Sequence, residues 1–224
     1  MDIGLGTLRA WVRKQLAQDY GEGQQPISAT TRGGLLIQQD LPERSELVRL
    51  GNSYGAQIPT GSAFTFVAAW PTTRAELVLW NGEATGGKSY VIDRCWIANI
   101  TTMAAAQPIA MLGQLAPNTL SIAAPTDNAL VLRQSLNGNR GAYAGKGRLM
   151  VANTAFALAN QWFVLGTGLV PAPTTNLGCS IEAHVYGKYI VAPSAAFCLA
   201  GLAGTAAGTA ICGIEWHEVQ IPVY

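Results

Sequence analysis

The strongest constraint on this chain is a run of short apolar segments that begins near Ala63 and continues to the C-terminus. FTFVAAW (64–70), ELVLW (76–80), SYVIDRCWIA (89–98), TLSIA (119–123), ALVLRQ (129–134) and RLMVAN (148–153) come first. WFVLG (162–166), CSIEAHVYGKYIVA (179–192), AAFCLAGLAG (195–204) and TAICGIEWHEVQIP (209–222) follow. Several are rich in β-branched and aromatic residues, which suit a pleated, half-buried surface. Turn signals separate them: PTT at 71–73, PTDN at 125–128, NGNRG at 137–141, PAPTTN at 171–176 and GTAAGT at 204–209. Short strands at this spacing predict an all-β sandwich or barrel of eight to ten strands, with a jelly-roll-like two-sheet body over 63–224. The stretch 103–117 is softer; MAAAQPIAMLGQL also has helix formers, interrupted by Pro108 and Gly113.

The N-terminal third has another texture. In residues 5–20, Leu5, Leu8, Trp11, Val12 and Leu16 recur at helical spacing and form one apolar stripe, and Gly21 and Gly23 end the pattern. The spacing predicts a short amphipathic helix over 1–23. A helix this short is marginal alone, so the stripe must dock on its own domain or on a neighbour. The five residues are the candidate protein-interface site. Residues 24–62 are closely punctuated by Pro26, Gly33, Gly34, Pro42, Gly51, Gly55, Pro59 and Gly61, and predict an extended wrapping arm.

Charge is scarce where the strands are. Charged residues make up 12% of the chain, against about 25% in a typical soluble domain. Twelve of the charged residues fall in the first fifty positions. A body so poor in charge suits burial against symmetry mates, because stable interfaces are depleted in charge. The net charge of +1 gives no electrostatic pull towards nucleic acid or anionic lipid, and neither is expected as a partner. No run of about 18 apolar residues predicts a membrane-spanning helix. The start MDIGLG lacks a basic n-region followed by an apolar run, so synthesis and folding in a cytoplasm are expected.

One motif bears on chemistry. Gly82 to Ser89 fits G-x-x-x-x-G-K-S, in which backbone N–H groups cradle phosphates, the lysine reaches them and the serine binds Mg²⁺. Such a loop must open a helix that faces the phosphates. Here Tyr90, Val91 and Ile92 follow, with Cys95, Trp96 and Ile97, which is a strand composition. Asp127, the acid nearest to a second-strand Mg²⁺ ligand, follows Pro125 in a turn-like context. The expected structure of Ala75 to Ile97 is therefore a central β-hairpin with Lys88 at its turn, and no nucleotide cofactor.

Other constellations are thin. His184 has Glu182 two residues before it, and His217 lies between Glu215 and Glu218. Residues i and i+2 on a strand share a face, so the two Glu–His pairs are candidate ligands for zinc or iron. No G-x-S-x-G elbow supports a serine hydrolase. Trp70, Trp80, Trp96, Trp162 and Trp216 lie in or beside strand candidates, where they serve packing or form sugar-stacking platforms. Cys95, Cys179, Cys198 and Cys212 have no metal-site spacing. They read as small buried hydrophobes, with Cys198 and Cys212 able to face each other across a hairpin. Asn99-Ile100-Thr101 fits the glycosylation pattern by chance.

Taken together, the short helix and arm at 5–62, the low-charge Ala/Gly/Thr-rich body at 63–224 and the closing AAFCLAGLAGTAAGTAICGIEWHEV resemble a virion structural protein of a tailed bacteriophage. The closing segment is similar to the final strands of tumour-necrosis-factor-like and related trimeric jelly rolls, ending in I-x-W-x-E at Ile214, Trp216 and Glu218. The resemblance implies a capsid decoration (cement), minor capsid or fibre-type protein that is not an enzyme and carries no cofactor. It implies a homotrimer, with the small-residue strands at 195–214 near the axis and the arm bound to a major capsid or other virion protein. It implies residence in the virion. The alternatives are a carbohydrate- or receptor-binding module of a tail tip or fibre, and a metal-dependent enzyme built on the histidine pairs.

Overall fold

The computed structural model describes residues 43–220, apart from 73, 102, 104, 119–122, 139–142, 144, 157–160, 172–178 and 206–207. The N-terminal helix, with Leu5, Leu8, Trp11, Val12 and Leu16, lies outside the described residues, as does the arm before residue 43. The described residues belong to one compact unit that begins at Glu43.

The unit opens with a short helix, α1 (Glu43–Arg49), and is then almost wholly β. One antiparallel sheet has the order β10 (Ile190–Val191), β4 (Ser89–Asn99), β12 (Thr209–Val219), β1 (Ser53–Gln57), β6 (Leu132–Ser135). In this first sheet β9 (Ser180–His184) also pairs with β4, and β2 (Phe64–Thr65) with β12. The second sheet has the order β7 (Arg148–Asn153), β3 (Ala75–Trp80), β11 (Ala196–Ala203), β5 (Gln107–Ala116), β8 (Phe163–Val170). All named pairings are antiparallel.

The sheets pack face to face because alternate residues of each point the same way. Ile92, Ile97, Ile214 and Trp216 of the first meet Leu77, Leu79, Met111 and Phe197 of the second in one buried cluster. A second cluster lies behind the second sheet. There Val78, Leu112, Met150, Cys198 and Ala200 are closed off by Phe156 and Trp162, from the connection between β7 and β8. The Trp162 indole N–H donates to the Pro71 carbonyl at 2.8 Å, which ties that connection to the chain ahead of β3. The second sheet is thus covered on both sides, and all six residues of β3 are buried.

Several expectations change. Ala75 to Ile97 is no hairpin: β3 and β4 lie in different sheets, and residues 81–88 carry the chain between them. The crossing is pinned by Asn81, whose amide Nδ2 donates to the carbonyls of Lys88 and Val191, each at 2.9 Å. The closing segment behaves alike, with β11 in the second sheet and β12 in the first. A turn between apolar strands says nothing about which sheet receives the second one. Cys198 and Cys212 therefore do not face each other, and all four cysteines are free. Burial pushes the Cys95, Cys198 and Cys212 thiols well above their ordinary range.

The extended arm does not run to residue 62. Residues 53–57 form β1 inside the first sheet between β12 and β6, with Tyr54 and Ala56 buried. The glycines and proline around so short a strand hide it from composition. Residues 107–116 are strand β5 rather than helix, with Pro108 tolerated at its second position. The small residues of 195–214 are not left for an axis. β11 is flanked by β3 and β5, and a Cβ on Gly201 would come within 2.7–2.9 Å of the Phe64 and Phe66 rings. Glycine there lets the chain's own aromatics reach the sheet.

Candidate functional site

The Gly82–Ser89 loop comes to nothing as a phosphate cradle. Ser89 opens strand β4 instead of a helix. The loop closes with a Gly87 N–H to Ala84 carbonyl bond of 2.8 Å, and Gly86 takes a positive φ of 81° that only glycine adopts easily. Lys88 turns to the buried Glu218, 3.5 Å away, and the Tyr143 hydroxyl donates to the same carboxylate at 2.8 Å. Burial and the nearby Tyr90 hydroxyl and Glu218 carboxylate push the Tyr143 hydroxyl well above the usual phenol range. Lys88, itself part-exposed, is the counter-ion of a buried acid.

Beside this loop a polar cleft of about 380 Å³ is lined by Gly82, Asp127, Arg133, Tyr143, Lys146 and Arg148 among others. Its cations are already matched within the chain. Arg133 makes two bonds to Asp127, of 2.9 and 2.7 Å, and a third to the Asn128 carbonyl at 2.7 Å. Arg148 lies over the Trp80 ring at 5.4 Å and donates to the Pro125 carbonyl. Lys146 is 3.7 Å from Glu83. Asp127 also accepts the Leu149 N–H at 2.8 Å, so it fastens a loop to β7 and is no metal ligand.

Chemistry-bearing side chains concentrate instead on the outer face of the first sheet. Register places Glu182 opposite Trp96, which lies opposite Gly213. One row on, His184 is opposite Arg94, and Arg94 opposite Glu215. The Arg94 guanidinium bridges both acids, at 2.9 Å from Glu182 and 3.1 Å from Glu215. His184 Nε2 lies 2.6 Å from Glu182, and its ring stacks on Tyr186 with centroids 5.5 Å apart. Trp96 lies across Gly213, since a Cβ there would meet its Cε2 and Cζ2 at 2.5 Å.

The two Glu–His pairs do not converge on a metal. The ladder slips between Glu215 and Trp216, leaving Asp93 as the extra residue of β4. His217 Nδ1 then meets Asp93 at 2.8 Å instead of joining Glu215. A positive side chain, Arg94, already stands between Glu182 and Glu215. Among the described residues no group of three or more His, Cys, Asp or Glu side chains is arranged to hold a metal ion. No described helix is long and apolar enough to cross a membrane.

The i, i+2 rule signals the Glu182–His184 contact, but nothing local signals Arg94 or Asp93. The tryptophans divide by role. Trp216 and Trp162 are buried, Trp80 carries Arg148, Trp96 lies on the outer face, and Trp70 is 50% exposed. No protein-family model matches this chain, and no curated protein matches it.

Proposed function

We propose that this chain is a self-associating structural protein, a virion component of the capsid decoration or minor capsid kind, whose body is a jelly roll. The observation that carries the reading is the pairing order. With β2, β6 and β7 set aside, the strands nest like brackets: β1 with β12, β3 with β11, β4 with β9 and β10, β5 with β8. Nested antiparallel pairing in two sheets is the double Greek key of the jelly roll, an architecture shared by viral capsid and lectin domains. The low-charge body and the stripe Leu5, Leu8, Trp11, Val12 and Leu16 support adhesion rather than turnover as the task. In this reading the N-terminal segment binds a neighbouring virion protein and the body binds copies of itself.

The test is a density gradient of a source lysate probed with an antibody against the chain. Co-migration with particles is expected, together with loss of particle binding on deleting residues 1–23. Protein found only in the soluble fractions would refute the virion reading.

A second reading has its own observation. Trp96 lies across Gly213 beside the carboxylates of Glu182 and Glu215, with Tyr186 67% exposed in the turn that follows β9. A flat ring flanked by planar acceptors suits a sugar ring, so the outer face of the first sheet is the place where a glycan would bind. Glycan-array binding that Trp96→Ala abolishes would favour it; no binding by the wild type would remove it.

A further inference from the structure

We infer that β8 is the contact through which two copies of this chain join, the edge that faces away from β5 pairing antiparallel with β8 of a second copy about a two-fold axis at Thr167. The inference rests on the self-association proposed above and names the surface that performs it.

The four sheet edges differ in how they are guarded. Exposed edges invite strand addition unless they are short, charged or bent. At one edge of the first sheet β6 has four residues and carries Arg133. At the other, β9 and β10 are separated by a turn in which Tyr186 and Gly187 both have positive φ, and β9 carries Glu182 and His184. In the second sheet β7 carries Arg148 and bends at Ala152, where φ is 52°. β8 has eight residues, FVLGTGLV, with no charge and no proline, and beyond its one slip near the start residues 166–170 run in regular register. Among the described residues it is paired on one side only, with β5.

Its side chains match an apolar partner. Phe163, Val164 and Leu169 are 50%, 52% and 65% exposed. Val164 and Leu169 sit opposite Leu112 and Pro108 of β5, and Thr167 opposite Ala110, so all three share the outer face of the second sheet. The ladder slips between Met111 and Leu112, which turns Leu165 towards the main core and leaves Val164 outside.

The geometry of the edge selects a second copy as the occupant. With Leu165 looped out by the slip, a two-fold at Thr167 sets small residues against small ones and apolar side chains against apolar ones, so this edge is complementary to its own copy. Thr167 would oppose its own copy, Gly166 would oppose Gly168, and Val164 and Leu169 would meet on the outer face. A two-fold contact of this kind is self-complementary and closed. The two second sheets then form one continuous sheet, and the other edges among the described residues are short, charged or bent.

The experiment uses the charge at the axis. Thr167 is exposed, so Thr167→Lys and Thr167→Glu are compatible with folding and each sets two like charges side by side. Native mass spectrometry of the wild type is expected to show two chains of 23.6 kDa together, or a multiple of that pair. Each variant alone is expected to lose the pairing, and an equimolar mixture of the two to restore it as a mixed pair. Leu169→Lys is a second variant, used where circular dichroism shows a Thr167 variant to be unfolded; it too should separate the copies. An oligomeric wild type whose mass none of these variants changes would overturn the β8 contact and leave self-association standing. A wild type that is a single chain at every concentration would overturn both.

Discussion

The two sheets of this molecule share one core but treat their outer faces in opposite ways. The first sheet keeps its outer face polar: Asp93, Arg94, Glu182, His184, Glu215 and His217 lie there, knitted by the Arg94 ion pairs and by histidine–carboxylate contacts. The second sheet is apolar behind as well as in front, and its back is covered by Phe156 and Trp162 of its own chain until β8, where Val164 and Leu169 are bare. The difference shows how a charge-poor chain spends its charge. Exposed ion pairs stabilise little, typically about 0–1 kcal/mol each, so the first face is a minor source of stability. The second face is packed like an interior, and it contributes stability wherever a side chain covers it.

The largest expected effect tests whether the back of the second sheet is a true second core. Phe156 is 2% exposed and packs there with Trp162 and Cys198. Phe156→Ala is expected to cost about 3–5 kcal/mol in urea unfolding, the range for a buried ring removed from a core. A loss under about 1 kcal/mol would mean that the cover is dispensable, and the contrast between the faces would collapse.

The next effect probes the opposite face. A methyl group on Gly213 would meet Trp96 Cε2 and Cζ2 at 2.5 Å, so the indole must lift away. Gly213→Ala is expected to cost about 1–3 kcal/mol, the range for an overpacked site. In a Trp96→Ala background most of that cost should vanish, because the clash partner is gone. Equal costs in the two backgrounds would show that glycine is needed for the strand and not for the ring.

Strand content was readable because β4 and β12 are dense in β-branched and aromatic residues and β3 and β11 are short apolar runs between turn signals. Pairing was not readable. Residues 81–88 look like a turn whether the chain folds back within a sheet or crosses to the other one. β1 was missed because Gly51, Gly55 and Pro59 surround two inward residues, Tyr54 and Ala56. At the site, Glu182 and His184 lie two apart and signal each other. Arg94, which joins the acids, is 88 residues from Glu182 and 121 from Glu215. The slip at Glu215 and Trp216 redirected His217 to Asp93, and a bulge of that kind depends on both strands at once. The self-complementarity of β8 depends on the slip at Leu165 and on β8 being an edge, and neither is legible as letters.

The smallest effect sharpens the comparison from the charged side. The second sheet carries a buried acid, Glu76 of β3, which receives a 2.9 Å bond from Arg74. Its other oxygen, Oε2, is buried without a hydrogen-bond partner among the described residues. Loss of water raises the Glu76 carboxyl above its ordinary value, and the Arg74 charge offsets only part of that. A raised carboxyl favours folding while it is protonated, and this advantage disappears as pH rises through the folded value. At neutral pH the ionised group is therefore a net cost. Glu76→Gln removes the titration while nearly keeping the shape, so its Tm should exceed that of the wild type at pH 7. The gap should close as pH falls through the carboxylate range, where the wild-type side chain becomes neutral as well. A gap that is the same at pH 4 and pH 7 would mean that packing, and not charge, distinguishes the two side chains. A lower Tm at pH 7 would mean that the Arg74 pair outweighs the desolvation, and that the second sheet tolerates charge as well as the first.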